Sequence, residues 1–232
     1  MWQRRLPLQV KTQFMMSGMV KREILPELLN ELSPDRARGS LRDLVRLNRH
    51  FGGHRILRRI LRREGGHPFT LLDVGAASGD MGATLQRAFP GAAVTCLDQC
   101  PAHLREARHP KLAADAFALP FGDGSFDYVF SSLFLHHFTD DDVVRLLAGF
   151  KRIARKGVIA IDLERNFFAY HFLAATNWIF DWDRVTLHDG PVSVQAGFRR
   201  TELLALADRA GLARAAVRGN APWFRLSLVA PL

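Results

Sequence analysis

Apolar residues fall along this chain in two alternating rhythms. Short apolar runs, the mark of strands covered on both faces, occur at Leu71–Val74, Ala92–Asp98, Phe126–Ser132 and Gly157–Leu163. Stretches with helical spacing lie between them, over 80–89, 101–108 and 140–155. Thr139 and three following acids open the last of these as a cap and a dipole-matched first turn. Strands alternating with helices predict an α/β domain with a mainly parallel sheet. A further helix spans 201–210 and stops at Gly211, and two last strands follow near 213–218 and 223–230.

Residues 20–63 read as helical, broken at Ser33-Pro34-Asp35 and loosened at Gly52-Gly53. Leu41, Leu44, Val45 and Leu47 give the middle helix an apolar face. The organisation is therefore a flexible arm at 1–19, a helical extension over 20–63, and one domain over 64–232. A chain of 232 residues is long enough to bury a full core. No repeat or low-complexity segment interrupts it.

The densest signal is Leu71-Leu72-Asp73-Val74-Gly75-Ala76-Ala77-Ser78-Gly79-Asp80. It reads as strand, glycine turn and helix start, with free N–H groups for a polar ligand. A dinucleotide fingerprint needs Gly-x-Gly-x-x-Gly, and Ala77 occupies its middle glycine. Asp98 ends the second strand 25 residues after Asp73 (98 − 73), where a carboxylate can accept from ribose hydroxyls or act as a plain strand-end residue. Asp115-Ala116-x-x-Leu119-Pro120-Phe121, a turn and Phe126-Asp127 follow.

These four segments in order resemble the motifs of class I S-adenosylmethionine (SAM) methyltransferases over about residues 67–163. The resemblance implies a Rossmann-like sheet, mostly parallel with an antiparallel last strand, behind an N-terminal helical extension that closes over the cofactor. It implies SAM as cofactor, held by Asp73, Gly75, Ala76, Gly79, Asp98, Gln99, Asp115, Ala116, Phe117 and Ser131. Asp115 would accept from the adenine amino group, and Ala116 and Phe117 would border the ring. Asn48–Gly53 becomes a candidate hinge or substrate contact, or a plain junction between helices.

Residues 164–199 fall where this family builds its substrate pocket. Phe167, Tyr170, His171 and Trp178 are the candidates to line it, although an aromatic stripe equally suits ordinary helix packing. An aromatic-lined pocket suits a flat or lipophilic acceptor. Together with His188–Val194, the stretch is similar to small-molecule methyltransferases of polyketide and quinone pathways. Methyl transfer to a hydroxyl benefits from a base, and histidine suits that at neutral pH. His188, beside Asp189, ranks first and His137 second, with His136 and His137 also open to a packing role. Asp162 and Asn166 lack a diagnostic metal spacing, so no metal is expected.

Composition changes this picture little. Net charge is +9, and Arg55, Arg58, Arg59, Arg62 and Arg63 share one helix. That face fits nucleic acid or an anionic membrane surface, or is simply solvated. Two cysteines, Cys96 and Cys100, without zinc-site company point to a reducing cytoplasm. No apolar run is long enough to span a bilayer. The leading expectation is methylation of a hydroxyl or ring carbon on a small aromatic, polyketide-like or quinol-like acceptor, with no stable nucleic-acid partner and a homodimer left open. The alternatives are RNA methylation, against which Ser131-Ser132-Leu133-Phe134 lacks the Asn/Asp-Pro-Pro-Tyr/Phe grip, and a non-catalytic SAM-binding scaffold.

Overall fold

A computed structural model describes residues 21–63 and 68–232. The arm expected over 1–19 lies outside the described residues. Two helices come first, α1 (Pro34–His50) and α2 (Gly53–Arg63). The domain then runs β1 (Thr70–Val74), α3 (Asp80–Ala88), β2 (Ala93–Asp98), β3 (Lys111–Ala113), β4 (Phe126–Ser132), α4 (Asp140–Ile153) and β5 (Ala154–Leu163). It ends with α5 (Phe167–Phe180), α6 (Arg184–Ala196), α7 (Arg200–Arg209), β6 (Ala216–Asn220) and β7 (Arg225–Pro231). The seven strands lie in the order β3-β2-β1-β4-β5-β7-β6. Strands β1 to β5 pair in parallel, and β7 runs antiparallel between β5 and β6.

The sheet is buried on both faces, which is why its central strands read as unbroken apolar runs. One face carries α4 and α7 through Val143, Leu147, Phe150, Leu203 and Leu206. The other carries α2 and α3 through Ile56, Leu57, Leu61, Met81 and Leu85. Helix α2 is thus an integral part of a core layer, and α1 with the segment before it forms the cover over the site. The arginines of α2 sit opposite its buried stripe, with Arg55, Arg59, Arg62 and Arg63 exposed.

Two sequence expectations change. The helix expected over 101–108 is only a 3₁₀ turn at His103–Glu106. Pro101 and Pro110 bracket it, and Leu104 is its only large apolar residue, too little to anchor a helix against the core. The segment 164–199, where the substrate pocket is expected, is two helices, and His188 lies within α6 despite Pro191.

The turn between β1 and α3 needs its glycines. Gly75 has φ +72°, and a Cβ there would meet Phe134 at 2.4 Å. Ala77 also adopts positive φ (45°), a conformation unusual for alanine. Its N–H donates to Asp98 Oδ2 at 3.0 Å, which helps hold the turn there.

Candidate active site

Two cavities meet at the carboxyl ends of β1, β4 and β5, the usual ligand position in an open α/β sheet. The larger, about 650 Å³, is lined by Gly75, Asp98, Gln99, Asp115, Ala116 and Phe117, among others. Asp98 is fixed there by Ala77 N–H and by Cys100 N–H at 2.9 Å, with His103 Nδ1 at 3.5 Å. Asp115 accepts from Phe117 N–H at 2.9 Å. Both carboxylates are preset on loop backbone.

Four further residues expected to hold cofactor, Asp73, Ala76, Gly79 and Ser131, are buried and do not line this cavity. Asp73 Oδ2 and the Ser131 hydroxyl have no hydrogen-bond partner. Burial, then the Asp80 and Asp98 charges, push the Asp73 carboxyl well above the usual carboxylate range. A cationic group beside Asp73 would relieve that cost. Leu29, Leu32 and Leu44 of the N-terminal cover also line the cavity. The Leu44 stripe was legible as an apolar face, but not what it faced.

The smaller cavity, about 160 Å³, shares Leu29, Leu44, Leu133 and His137 with the larger. Its walls are mostly apolar, including Leu47, Phe51, Phe172 and Leu173, and its polar groups are few: Glu27, His136, His137, Asp189 and Arg225 stand out. Asp162 organises the histidine side. It is fully buried and accepts from Phe134 N–H, Leu135 N–H and Leu163 N–H. His136 Nδ1 lies 2.6 Å from its Oδ1. This pins the turn Leu135–His137.

Glu27 faces both histidines, 3.7 Å from His136 Nε2 and 3.7 Å from His137 Nδ1. Helix α6 holds it in place. Ser193 Oγ donates to Glu27, and Asp189 accepts from Leu28 N–H and Leu29 N–H, both at 2.9 Å. Thr186, Asp189, Gly190, Ser193 and Val194 all line the cavity at helical spacing.

The charges sort themselves by environment. Burial works against the His136 imidazolium, but Asp162 and Glu27 outweigh it and hold its pKa up at about 9. Burial and the His136 charge push His137 down to about 4. Burial opposes the Glu27 carboxylate, yet His136, His137 and Ser193 bring it down to about 2. At neutral pH the trio is a carboxylate, an imidazolium and a neutral imidazole. Their ligand atoms lie within 4.8 Å of one another, so the same three could hold a metal ion.

Several expected acceptor contacts are corrected. His188 is exposed and lines neither cavity; its Nδ1 lies 2.8 Å from Asp189 Oδ1. Neighbours on a helix point about 100° apart, so Asp189 turns inward and His188 outward. Phe167, Tyr170, His171 and Trp178 also miss the cavity, and Trp178 is 85% exposed. The inner face of α5 is Ala169, Phe172 and Leu173 instead. His188→Ala is therefore expected to leave turnover within about twofold of wild type, the scale of a surface substitution. A large loss in steady-state assays would return it to the site.

A family described as "Methyltransferase domain" matches residues 72–161. Residues 72–161 form a class I SAM-dependent methyltransferase domain. An uncharacterised methyltransferase of Synechocystis sp. is 31% identical over 150 residues, covering 61% of this chain and 65% of that one. A malonyl-[acyl-carrier protein] O-methyltransferase of Geobacter sulfurreducens is 34% identical over 178 residues, covering 71% of this chain and 62% of that one. The chain thus spans somewhat under two thirds of these relatives. Human N-acetylserotonin methyltransferase, solved with SAM, shares the fold at TM-score 0.65 and 15% identity, over 95% of this chain and 66% of that one. The methyltransferase cofactor is SAM, and the residues present suit it. Asp98 would take the ribose hydroxyls and Asp115 the adenine amino group. Among the described residues, no helix is long and apolar enough to cross a membrane.

Asp98→Ala is expected to weaken SAM binding by about 1–3 kcal/mol, a lost charge-assisted bond plus stranded partners. Unchanged affinity by calorimetry in a folded variant would place the ribose elsewhere.

Proposed function

We propose that this methyltransferase acts on a hydroxyl, or an activated ring carbon, of a small aromatic, polyketide-like or quinol-like acceptor bound in the smaller cavity. The observation that carries this reading is His137 on the seam of the two cavities, neutral at physiological pH. By name, a demethylmenaquinone methyltransferase of Thermus thermophilus, 37% identical over 106 residues, supports a quinol-like acceptor, whereas the malonyl-[acyl-carrier protein] relative is named for an acyl group on a carrier protein.

When bound, SAM supplies an electrophilic methyl group on a good leaving group. The protein's part is alignment and proton management. Leu133, Leu44 and the aromatic wall keep water from the seam and orient a flat acceptor. His137 takes the acceptor's proton, and Glu27, 3.7 Å away, steadies the imidazolium that results. The low pKa of His137 makes it a weak base. That suffices here, because a hydroxyl oxygen becomes strongly acidic as its new bond to carbon forms. His136 already carries a proton between Asp162 and Glu27, so it holds Glu27 in position and leaves proton transfer to His137.

The chemistry needs no metal, and treatment with a chelator is expected to leave turnover unchanged. Loss of activity restored by a divalent ion would assign the trio of Glu27, His136 and His137 to metal binding. The reading itself is tested by incubation with SAM and a panel of phenols and quinols, with products read by mass. Tight cofactor binding with no product from any acceptor would favour a non-catalytic scaffold.

A further inference from the structure

Arg225 opens β7 and is 3% exposed. Its backbone is tied into the sheet, in register with Leu163 on β5 and Asn220 on β6. Its side chain lines the smaller cavity. Among the described residues that side chain makes no hydrogen bond or ion pair, and Nη1 is buried with no partner. A second buried arginine behaves differently. Arg165 donates to Gly197 O at 2.6 Å and to Glu202 Oε1 at 2.5 Å.

A buried guanidinium without a partner is costly, because its hydration is lost and nothing replaces it. Burial lowers the Arg225 pKa to about 10, with Asp162 and then Asp80 opposing that shift from beyond contact distance. It stays charged at neutral pH. Neither acid is available to pair with it. Asp162 is committed to His136 and three backbone N–H groups. Asp80 is engaged by His54 at 2.8 Å and Asn48 at 3.3 Å. The partner this arginine lacks is therefore an anion that enters the cavity.

We propose that Arg225 is the anion receptor of the acceptor cavity, and that the acceptor carries a carboxylate or an equally acidic oxygen placed against its guanidinium. The inference rests on the reading of that cavity as the acceptor site. A guanidinium presents a planar fork suited to two-point binding of such a group. The acceptor then has three parts: an apolar body against Leu47, Phe51 and Phe172, a reacting atom at His137, and an acidic oxygen at Arg225.

The test uses the protein saturated with S-adenosylhomocysteine, titrated at pH 7 with benzoate and with its neutral isostere benzamide. Benzoate is expected to bind roughly 10–100-fold more tightly, the scale of hydrogen bonds to a charged group. Arg225→Met is expected to abolish that preference and Arg225→Lys to keep part of it, with S-adenosylhomocysteine affinity unchanged in both. Equal binding of the two probes by the wild-type protein would overturn the proposal without any variant. So would a preference that survives in Arg225→Met. A parallel fall in S-adenosylhomocysteine affinity would also overturn it, since the anion would then be the cofactor's own carboxylate. Failure of the wild-type protein to bind S-adenosylhomocysteine at all would count instead against the methyltransferase reading.

Discussion

Replacing His137 by Ala lowers turnover at neutral pH by about 10²–10⁴-fold, the usual contribution of a positioned base, and leaves SAM affinity intact. The affinity should hold because Asp98 and Asp115 are fixed by loop backbone, without His137. The loss shrinks as pH rises and a phenolic acceptor ionises unaided. The pH dependence of the wild-type enzyme follows from the same geometry. A base must be deprotonated to act, and His137 is held down at about 4. Activity should therefore persist through mildly acidic pH and fall only as pH drops towards 4. A midpoint near 6.5 would mean that His137 does not feel the His136 charge. A folded His137→Ala protein with full turnover at neutral pH would leave positioning alone as the mechanism.

The second large effect is structural. Asp162→Asn is expected to cost about 3–5 kcal/mol, the range for breaking a buried ion pair by removing one partner. For a domain of this size that is on the order of 10 °C in melting temperature. Asp162 is 1% exposed and His136 is 3% exposed, so the stranded imidazolium cannot recover solvent. The pair also gives stability a pH signature. His136 has its pKa raised to about 9, so its contribution is complete below about 6.5 and is lost as pH rises through 9. Asp162 is shifted the other way, held low chiefly by His136 against its burial. Its contribution is present above the ordinary carboxylate pKa and is lost as pH falls through its lowered value. Wild-type melting temperature should decline on both sides, whereas the Asn variant starts lower and changes less. A variant as stable as wild type would show that His136 is neutral in the folded protein.

The sheet and part of the larger cavity's lining were legible in the sequence because each rests on a local pattern. Leu71–Val74 is a strand followed at once by the glycine turn it feeds, and Asp98 and Asp115 close strands or turns of fixed spacing. The acceptor site was legible only in part. Glu27, Asp189, Ser193 and Arg225 come together from segments far apart in the chain, and no spacing links them. Helix α6 was the missing element. Gly190-Pro191 reads as a turn, so the stripe Thr186, Asp189, Gly190, Ser193 and Val194 was invisible, and His188 drew attention through its neighbour Asp189. Helix α5 misled for a different reason. Its apolar residues run all round it, so composition could not say whether Phe168 or Phe172 faces inward.

The most direct test of the account follows one labelled methyl group. The protein is incubated with labelled SAM and a mixture of phenols, quinols, carboxylic acids and transfer RNA, alongside the His137→Ala variant. The account predicts label in a small acceptor, diminished in the variant, and none in the RNA. Label in the RNA, with the small acceptors untouched, would contradict it and move the acceptor from the smaller cavity to the exposed arginine face of α2.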